Sequence, residues 1–245
     1  MNEVLKKYEK IDLSGRNARL FKEWKELDEL CDKRQEISYI IRKRNVIGLP
    51  TEYEIWYRVR SVIGVSDSPP PREPIYGDLH KMSISLPNNY PSADGNPVFT
   101  FITDIWHPNI RHSGSFKGHV CLTIKEMGVM ASLKELVLRV ERYLKYQLYH
   151  AENTYPYPED QEVAEWVREE GVPGGWIKSL RGDGGLPDSD TSLSLLVTPA
   201  PDSEPNDDSF IIPSLPKRKK DSKWVPAVII SFGIIAGIVI GFFIL

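Results

Sequence analysis

The stretch WHPNIRHSGSFKGHVCL, residues 106–122, decides how the sequence is interpreted. It places the tripeptide His107-Pro108-Asn109 twelve residues ahead of Cys121, one of only two cysteines in the 245-residue chain. A cysteine thiolate is the protein nucleophile that needs the least activation near neutral pH. The segment is irregular and contains glycine, as expected of a loop that presents a side chain to a partner. A buried structural cysteine is the alternative interpretation.

The histidines of this stretch do not predict a zinc site. His107, His112 and His119 lie near Cys121 in the sequence, but they lack the paired spacing of structural zinc ligands. Two cysteines are also too few for a disulfide framework. We therefore expect Cys31 and Cys121 to be free thiols in a reducing compartment.

The sequence that follows Cys121 has a helical period. One apolar stripe is opened by Ser132 and Glu135 in capping-box spacing, and its members are Leu133, Leu136, Val137, Val140, Leu144 and Leu148. A last helix is predicted over residues 159–170, EDQEVAEWVREE.

The sequence that precedes the stretch predicts one helix and several strands. Within a predicted helix over residues 17–35, apolar positions recur at spacings of four, three and four: Leu20, Trp24, Leu27 and Cys31. Strand-like runs follow at residues 37–41, 53–63, 79–86 and 98–102. Short strands in sequence order predict an antiparallel meander. The predicted fold is therefore α+β, with an N-terminal helix, a four-stranded antiparallel meander, the cysteine segment and C-terminal helices.

This arrangement resembles the ubiquitin-conjugating (UBC-fold) enzymes, in which a His-Pro-Asn tripeptide precedes a cysteine followed by Leu. Upstream, Tyr76-Gly77 resembles the glycine-containing turn of that family. LPNNYP at residues 86–91, with Pro97 after it, resembles the family's Pro-x-x-Tyr-Pro turn. Together with the order of helices and strands, the resemblance covers residues 17–170.

The resemblance implies a chemistry for the stretch. Cys121 would hold the C-terminal carbonyl of a ubiquitin-like modifier as a thioester and pass it to an amine. Asn109 would stabilise the oxyanion of that attack, because an amide N–H donates a hydrogen bond without titrating. Alternatively, it would order the loop that presents Cys121, and Pro-Asn is also favourable turn chemistry in itself. His107 and Pro108 would shape the turn.

The same resemblance implies partners. An activating enzyme would charge the chain with the modifier, and a ligase would recruit targets. No metal or organic cofactor is needed, because the thioester carries the energy.

Three features depart from the family pattern. Asn109 and Cys121 are further apart than is common, so residues 111–118, RHSGSFKG, are interpreted as carrying a short insertion beside the active site. KEMGVMAS, residues 125–132, stands where many members have Trp-Ser-Pro. The acidic residue expected before the last helix has three candidates: Glu152, Glu159 and Asp160.

The C-terminal region differs in composition from the predicted catalytic domain at residues 1–178. Residues 179–223 are rich in Ser, Pro, Asp and Gly, which is typical of a flexible linker. Residues 225–245 carry no charge. As a helix they would reach about 31 Å, enough to cross a hydrocarbon core of about 30 Å. We predict a membrane anchor at residues 224–245.

The charges around this anchor predict its orientation. A basic run at residues 217–223 precedes it, so the positive-inside rule keeps the catalytic domain cytoplasmic, with a single-pass tail anchor in the membrane. Gly233, Gly237 and Gly241 fall on one helix face, which is typical of self-associating membrane helices. The net charge of −3 argues against a strongly basic nucleic-acid binder, so no nucleic acid is expected as a partner.

Two other functions stay open at this point. The first is a non-catalytic, membrane-tethered binding module of the same fold, in which Cys121 is inert. The second is a thiol hydrolase of the modifier, in which one of the nearby histidines activates Cys121.

Overall fold

Four antiparallel strands form the central sheet of the computed structural model, which describes residues 3–92, 94–122, 131–180 and 184–187. Two further strands, β3 and β4, form a separate antiparallel pair. The strands are β1 (Ile37–Arg44), β2 (Pro50–Tyr57), β3 (Ser61–Val65), β4 (Pro74–Gly77), β5 (His80–Ser85) and β6 (Val98–Phe101). The order in the central sheet is β1-β2-β5-β6. The predicted four-stranded meander is confirmed, with the β3–β4 pair inserted between its second and third strands.

The single strand predicted over residues 53–63 is wrong. The chain leaves the central sheet after Tyr57, where the Arg58 amide donates to the Glu36 carbonyl at 2.7 Å. It then enters β3, where Val62 packs into a second apolar cluster. The alternation of Tyr53, Ile55 and Tyr57 continues at Val59, past the end of β2, so the pattern does not mark the change of partner strand.

The long helix α2 (Gly15–Lys33) packs its apolar stripe against the central sheet. Leu20, Trp24 and Leu27 are fully buried, and Cys31 packs at the edge of the same cluster. The prediction of this helix is confirmed, with both ends shifted by two residues. A short helix, α1 (Glu3–Tyr8), precedes it and was not predicted from the sequence.

Helix α3 (Leu133–Leu144) begins with the predicted capping box. The Ser132 hydroxyl accepts from the Glu135 amide at 3.2 Å, and the Glu135 carboxylate accepts from the Ser132 amide at 2.7 Å. The apolar stripe of the helix then packs into the same core as α2. Buried Glu23 of α2 accepts from the Leu133 amide at 2.6 Å, so the start of α3 is fixed to α2. Helix α3 also contacts the cysteine segment, since its Tyr143 hydroxyl donates to the Cys121 carbonyl.

A second apolar cluster lies around helix α4 (Gln161–Trp166) and the π-helical turn Val167–Gly171 that follows it. The predicted helix over residues 159–170 is confirmed in position but begins two residues later, because Asp160 caps it. The Asp160 carboxylate accepts from the Val163 amide at 3.2 Å. Trp166 and Trp106 pack edge to face in this cluster, with ring centroids 6.3 Å apart. The cluster therefore joins α4 directly to the start of the candidate site.

The predicted anchor at residues 224–245, with Gly233, Gly237 and Gly241, lies outside the described residues, as does nearly all of the predicted linker. In the ranges that the structure describes, no helix is both long and apolar enough to span a bilayer.

Candidate active site

The cysteine segment runs alongside the edge strand β6. The Phe101 amide donates to the Gly118 carbonyl at 2.8 Å, and the Val120 amide donates to the Phe99 carbonyl at 3.2 Å. Gly118 has φ +84°, and a Cβ there would lie 2.2 Å from the Phe101 carbonyl oxygen. Only glycine fits this close approach without displacing backbone. The rigid sheet thus fixes the backbone immediately before Cys121.

The longer spacing between Asn109 and Cys121 does not separate the two residues. The Cys121 amide donates to the Asn109 carbonyl at 2.9 Å. Two further backbone bonds, Gly118 N–H to Arg111 carbonyl at 2.7 Å and Arg111 N–H to His119 carbonyl at 3.0 Å, close the intervening residues into a hairpin. The insertion therefore projects as a loop, and its two ends meet at the site.

The side chain of Asn109 is buried and its amide has a defined orientation. Its Oδ1 accepts from the His150 backbone N–H at 3.0 Å. Only the oxygen of a side-chain amide can accept a hydrogen bond from a backbone N–H. The Nδ2 group of Asn109 is therefore left as a hydrogen-bond donor. This arrangement is able to present a neutral hydrogen-bond donor next to the cysteine segment.

His107 is a buried, neutral part of the same turn. Its Nδ1 accepts from the Asn109 backbone N–H at 3.1 Å, and its ring stacks on Tyr143 at a centroid distance of 5.0 Å. Burial lowers the pKa of His107 to about 3. At pH 7 the imidazole therefore orders the turn and carries no charge. The carbonyl of Pro108 accepts from the Asp160 amide at 2.9 Å, which joins this turn to α4.

Cys121 is half-buried and free. Its carbonyl accepts from the Tyr143 hydroxyl at 3.3 Å, so the backbone is held on both sides of the residue. Burial raises the pKa of the Cys121 thiol, the negative charge of Glu159 raises it further, and Arg139 opposes them. No hydrogen bond within the described ranges joins an imidazole to this thiol. Among the residues that the structure describes, the thiol is thus a nucleophile without a hydrogen-bonded imidazole base.

Two neighbouring carboxylates complete the site, and sequence reasoning did not choose between them. Asp160 is 3% exposed, and its Oδ2 accepts from the backbone N–H and the Nδ1 of His112 at 2.9 and 2.7 Å. Glu159 lies 3.5 Å from the Arg111 guanidinium and 3.3 Å from Nδ1 of His119. The third candidate, Glu152, is exposed. The N-cap preference of Asp is the sequence signal that marks Asp160 as a structural carboxylate, but it does not by itself identify Glu159.

Across residues 3–92, 94–122, 131–180 and 184–187, no set of three or more His, Cys, Asp or Glu side chains is arranged to hold a metal ion.

Comparison with known proteins identifies related sequences. Residues 61–158 match the family model described as ubiquitin-conjugating enzyme, a range that contains both Asn109 and Cys121 and ends before α4. The probable ubiquitin-conjugating enzyme E2 31 of Arabidopsis thaliana is 30% identical over 118 residues, which cover 47% of this chain and 70% of that protein. Ubiquitin-conjugating enzyme E2 K of Homo sapiens is 34% identical over 77 residues.

The second relative is matched over a smaller part of its length. The chain spans 36% of the human protein, and that match covers 31% of this chain. Among solved structures, the E2 domain of a Toxoplasma gondii ubiquitin conjugating enzyme is 24% identical, with a TM-score of 0.40, over 63% of this chain and 88% of that one.

Proposed function

Because the chain belongs to the ubiquitin-conjugating enzyme family, we propose that Cys121 carries a ubiquitin-like modifier as a thioester and transfers it to an amine, most simply a lysine. The observation that carries this proposal is the 2.9 Å backbone hydrogen bond between Cys121 and Asn109. It holds the backbone of Cys121 against that of Asn109 across the eleven residues that separate them in the sequence.

In the first transfer, the Cys121 thiolate attacks the carbonyl carbon of the modifier's C-terminus, which arrives as a thioester of an activating enzyme. A new C–S bond forms, and the thiolate of the activating enzyme leaves. The exchange of one thioester for another is nearly balanced in energy, so no metal or organic cofactor takes part. A strongly activated thiol is not required for it.

In the second transfer, the target amine attacks the thioester carbon and the carbonyl oxygen becomes an oxyanion. We assign the stabilisation of this oxyanion to the Nδ2 hydrogens of Asn109, and removal of one such donor typically lowers the rate by about 10²- to 10³-fold. The C–S bond then breaks, an amide forms and Cys121 leaves as a thiolate. His107 and Pro108 order the turn that holds Asn109 in place.

The attacking amine must also lose a proton, and Glu159 is the group that we assign to accept it. Asp160 is buried and its oxygens bind the start of α4 and His112, so it is not free for this role. The charge of Glu159 already acts on the thiol, since it raises the pKa of Cys121. A carboxylate beside the thioester both attracts a lysine ammonium and receives its proton.

The hydrolase alternative receives less support from this geometry. A hydrolase thiol is activated by a paired histidine, which lowers the pKa of the thiol. The pKa of Cys121 is raised instead, and in the described part of the chain His107, His112 and His119 are hydrogen-bonded to other groups. The inert binding module differs from our proposal only in whether Cys121 accepts a modifier as a thioester.

We also propose that transfer takes place next to a membrane. The support is the uncharged sequence at residues 225–245, the basic run before it and the polar linker at residues 179–223. A flexible linker of this length spans about 35 to 40 Å, so the catalytic domain would reach targets near the membrane surface. A ligase, and a second copy of the chain through the glycine face of the anchor, are further proposed partners.

The decisive experiment charges the full chain, in detergent micelles, with ubiquitin, its activating enzyme and ATP. On a non-reducing gel we expect a modifier-sized shift that a thiol reagent removes. Cys121→Ser should convert it to a reagent-resistant ester, and Cys31→Ser, the matched control, should leave it unchanged. If wild-type protein stays uncharged with ubiquitin and with other modifier and activating-enzyme pairs while Cys121 remains alkylatable, the carrier function is excluded and the binding module replaces it.

A further inference from the structure

The loop at residues 111–118, together with His119 that closes it, contacts the acidic segment at residues 159–162 at several points. These insertion-loop contacts are Arg111 with Glu159 at 3.5 Å, His119 with Glu159 at 3.3 Å, His112 with Asp160 at 2.7 Å and His112 with Glu162 at 3.5 Å. The loop and His119 supply all the nitrogen-bearing groups, and the acidic segment supplies all the carboxylates. The loop is therefore electrostatically complementary to the segment that holds Glu159.

The contacts differ in strength, and His112 makes the best-defined one. Its backbone N–H and its Nδ1 both bind the same oxygen of Asp160, a carboxylate that is 3% exposed. Hydrogen bonds to a buried carboxylate are stronger than exposed ion pairs. The contact of His112 with Glu162 is weaker, since both residues line an open cleft of about 460 Å³. The ring of His112 also packs on Trp106, with centroids 4.7 Å apart, so its orientation is fixed.

Asp160 transmits this orientation to Glu159. The Asp160 amide binds the Pro108 carbonyl, while its carboxylate caps α4 through the Val163 amide. Glu159 immediately precedes Asp160 in the chain. A His112 ring that holds Asp160 therefore holds the backbone of Glu159 relative to the turn that carries Asn109.

We propose that the insertion loop positions the acidic segment for transfer, with His112 as the positioning residue that sets where Glu159 meets the incoming amine. This inference rests on the proposed conjugating function and deepens it. It assigns a role to an insertion that lengthens the path from Asn109 to Cys121. In this view, the insertion supports the acidic side of the site and leaves the bond between Asn109 and Cys121 intact.

The test uses two variants of similar size and polarity. His112→Asn places an amide nitrogen close to the position of Nδ1, so the bond to Asp160 is retained. His112→Gln extends further and loses that donor position. Lys117→Ala is the control, because Lys117 lies in the same loop but pairs with Asp104 at 2.6 Å, away from the acidic segment.

The first readout is single-turnover discharge of the charged full chain to free lysine. We expect His112→Gln to charge normally but to discharge about tenfold more slowly, since small misplacements of a reacting group cost up to about 100-fold. His112→Asn and Lys117→Ala should discharge at the wild-type rate. The inference is overturned if the Gln variant discharges as fast as wild type, or if the Asn variant slows equally.

The second readout does not depend on charging. The pH profile of Cys121 alkylation reports the charge of Glu159 near the thiol, and Glu159→Gln gives the reference shift to lower pH. His112→Gln should shift the profile in the same direction, whereas His112→Asn and Lys117→Ala should not. Absence of this shift overturns the inference. If wild type never accepts a modifier, the proposed function fails, while the alkylation profiles still decide whether His112 positions Glu159.

Discussion

The two flanks of Cys121 are held by different forces. On one flank, His107, Asn109 and Tyr143 are buried, neutral and joined to the backbone by hydrogen bonds and ring stacking. On the other flank, the insertion loop and the segment at residues 159–162 meet through charged and titratable side chains, several of them exposed.

This difference indicates that the two flanks have different roles in the site. Neutral buried hydrogen bonds respond little to salt or pH near neutrality, so they are suited to fixing the geometry of Cys121 and Asn109. Charged contacts at the surface are weaker and easily screened, so they are suited to adjusting how the thiol and the amine ionise. Loss of a buried contact should therefore have a larger effect than loss of an exposed charged contact.

The largest effect is expected at Asn109, where substitution separates its two implied roles. Asn109→Asp keeps an oxygen for the His150 amide but removes the Nδ2 donors, whereas Asn109→Ala removes both. If Asn109 serves the oxyanion, both variants should charge normally and discharge to lysine about 10²- to 10³-fold more slowly.

Single-turnover discharge measures this, with exposed Asn153→Ala as the matched control. An Asp variant that discharges at the wild-type rate would show that Asn109 only orders the loop. The neutral flank would then contribute geometry alone.

A smaller but still large effect is expected at Gly118, whose φ is +84° and whose missing Cβ leaves room for the Phe101 carbonyl. Gly118→Ala should lower the free energy of unfolding by at least about 2 kcal/mol, because it adds a backbone clash to left-handed strain. Gly114→Ala is the control in the same loop. Gly114 has φ +75° but open space around it, so about 1 kcal/mol is expected from strain alone. Equal destabilisation in urea melts would contradict the close approach to β6.

The buried imidazole of His107 should make stability depend on pH. Its pKa is about 3 when folded and about 6.5 when unfolded, so between these values the unfolded chain binds a proton that the folded chain does not. The His107 contribution is fully present above pH 6.5 and is lost as pH falls toward 3. It adds up to about 1.4 kcal/mol per pH unit to the slope of unfolding free energy.

His107→Asn should flatten this slope in urea melts between pH 4 and 6, and His119→Asn, with an exposed ring, should retain the His107 contribution. Some slope should remain in the His107 variant, because burial also lowers the pKa of His80. An unchanged slope would mean that the neutral flank is less well buried than the structure shows.

The extent to which the sequence predicts these features follows the range of the interactions. The capping box at Ser132 and the stripe of α2 depend on residues three or four apart, and both were predicted correctly. The meander also follows from local alternation. The end of β2 at Tyr57 was missed, because it depends on a change of partner strand that alternation does not record.

Within the candidate site, the features that the sequence did not predict depend on long-range contacts. The motif indicates Cys121 and Asn109 through family resemblance, but their direct backbone bond depends on how the insertion closes into a hairpin. The proposed choice of Glu159 over Asp160 depends on contacts with residues 40 or more positions away, such as His119 and His112. Local periodicity carries no information about such pairs.

The smallest effect is expected on the charged flank, from salt. The Cys121 pKa is raised first by burial and then by the charge of Glu159. Raising ionic strength from about 0.1 M to 1 M shortens the screening length from about 10 Å to about 3 Å, which weakens the contribution of Glu159 and the smaller opposing contribution of Arg139 but not that of burial. The alkylation midpoint of Cys121 should therefore move slightly to lower pH. Glu159→Gln should begin at a lower midpoint and respond less to salt, with Cys31→Ser in both backgrounds so that one thiol is followed. A salt shift of the same size in both proteins would mean that the charge of Glu159 does not affect the pKa of Cys121. The proposed electrostatic difference between the two flanks would then be contradicted.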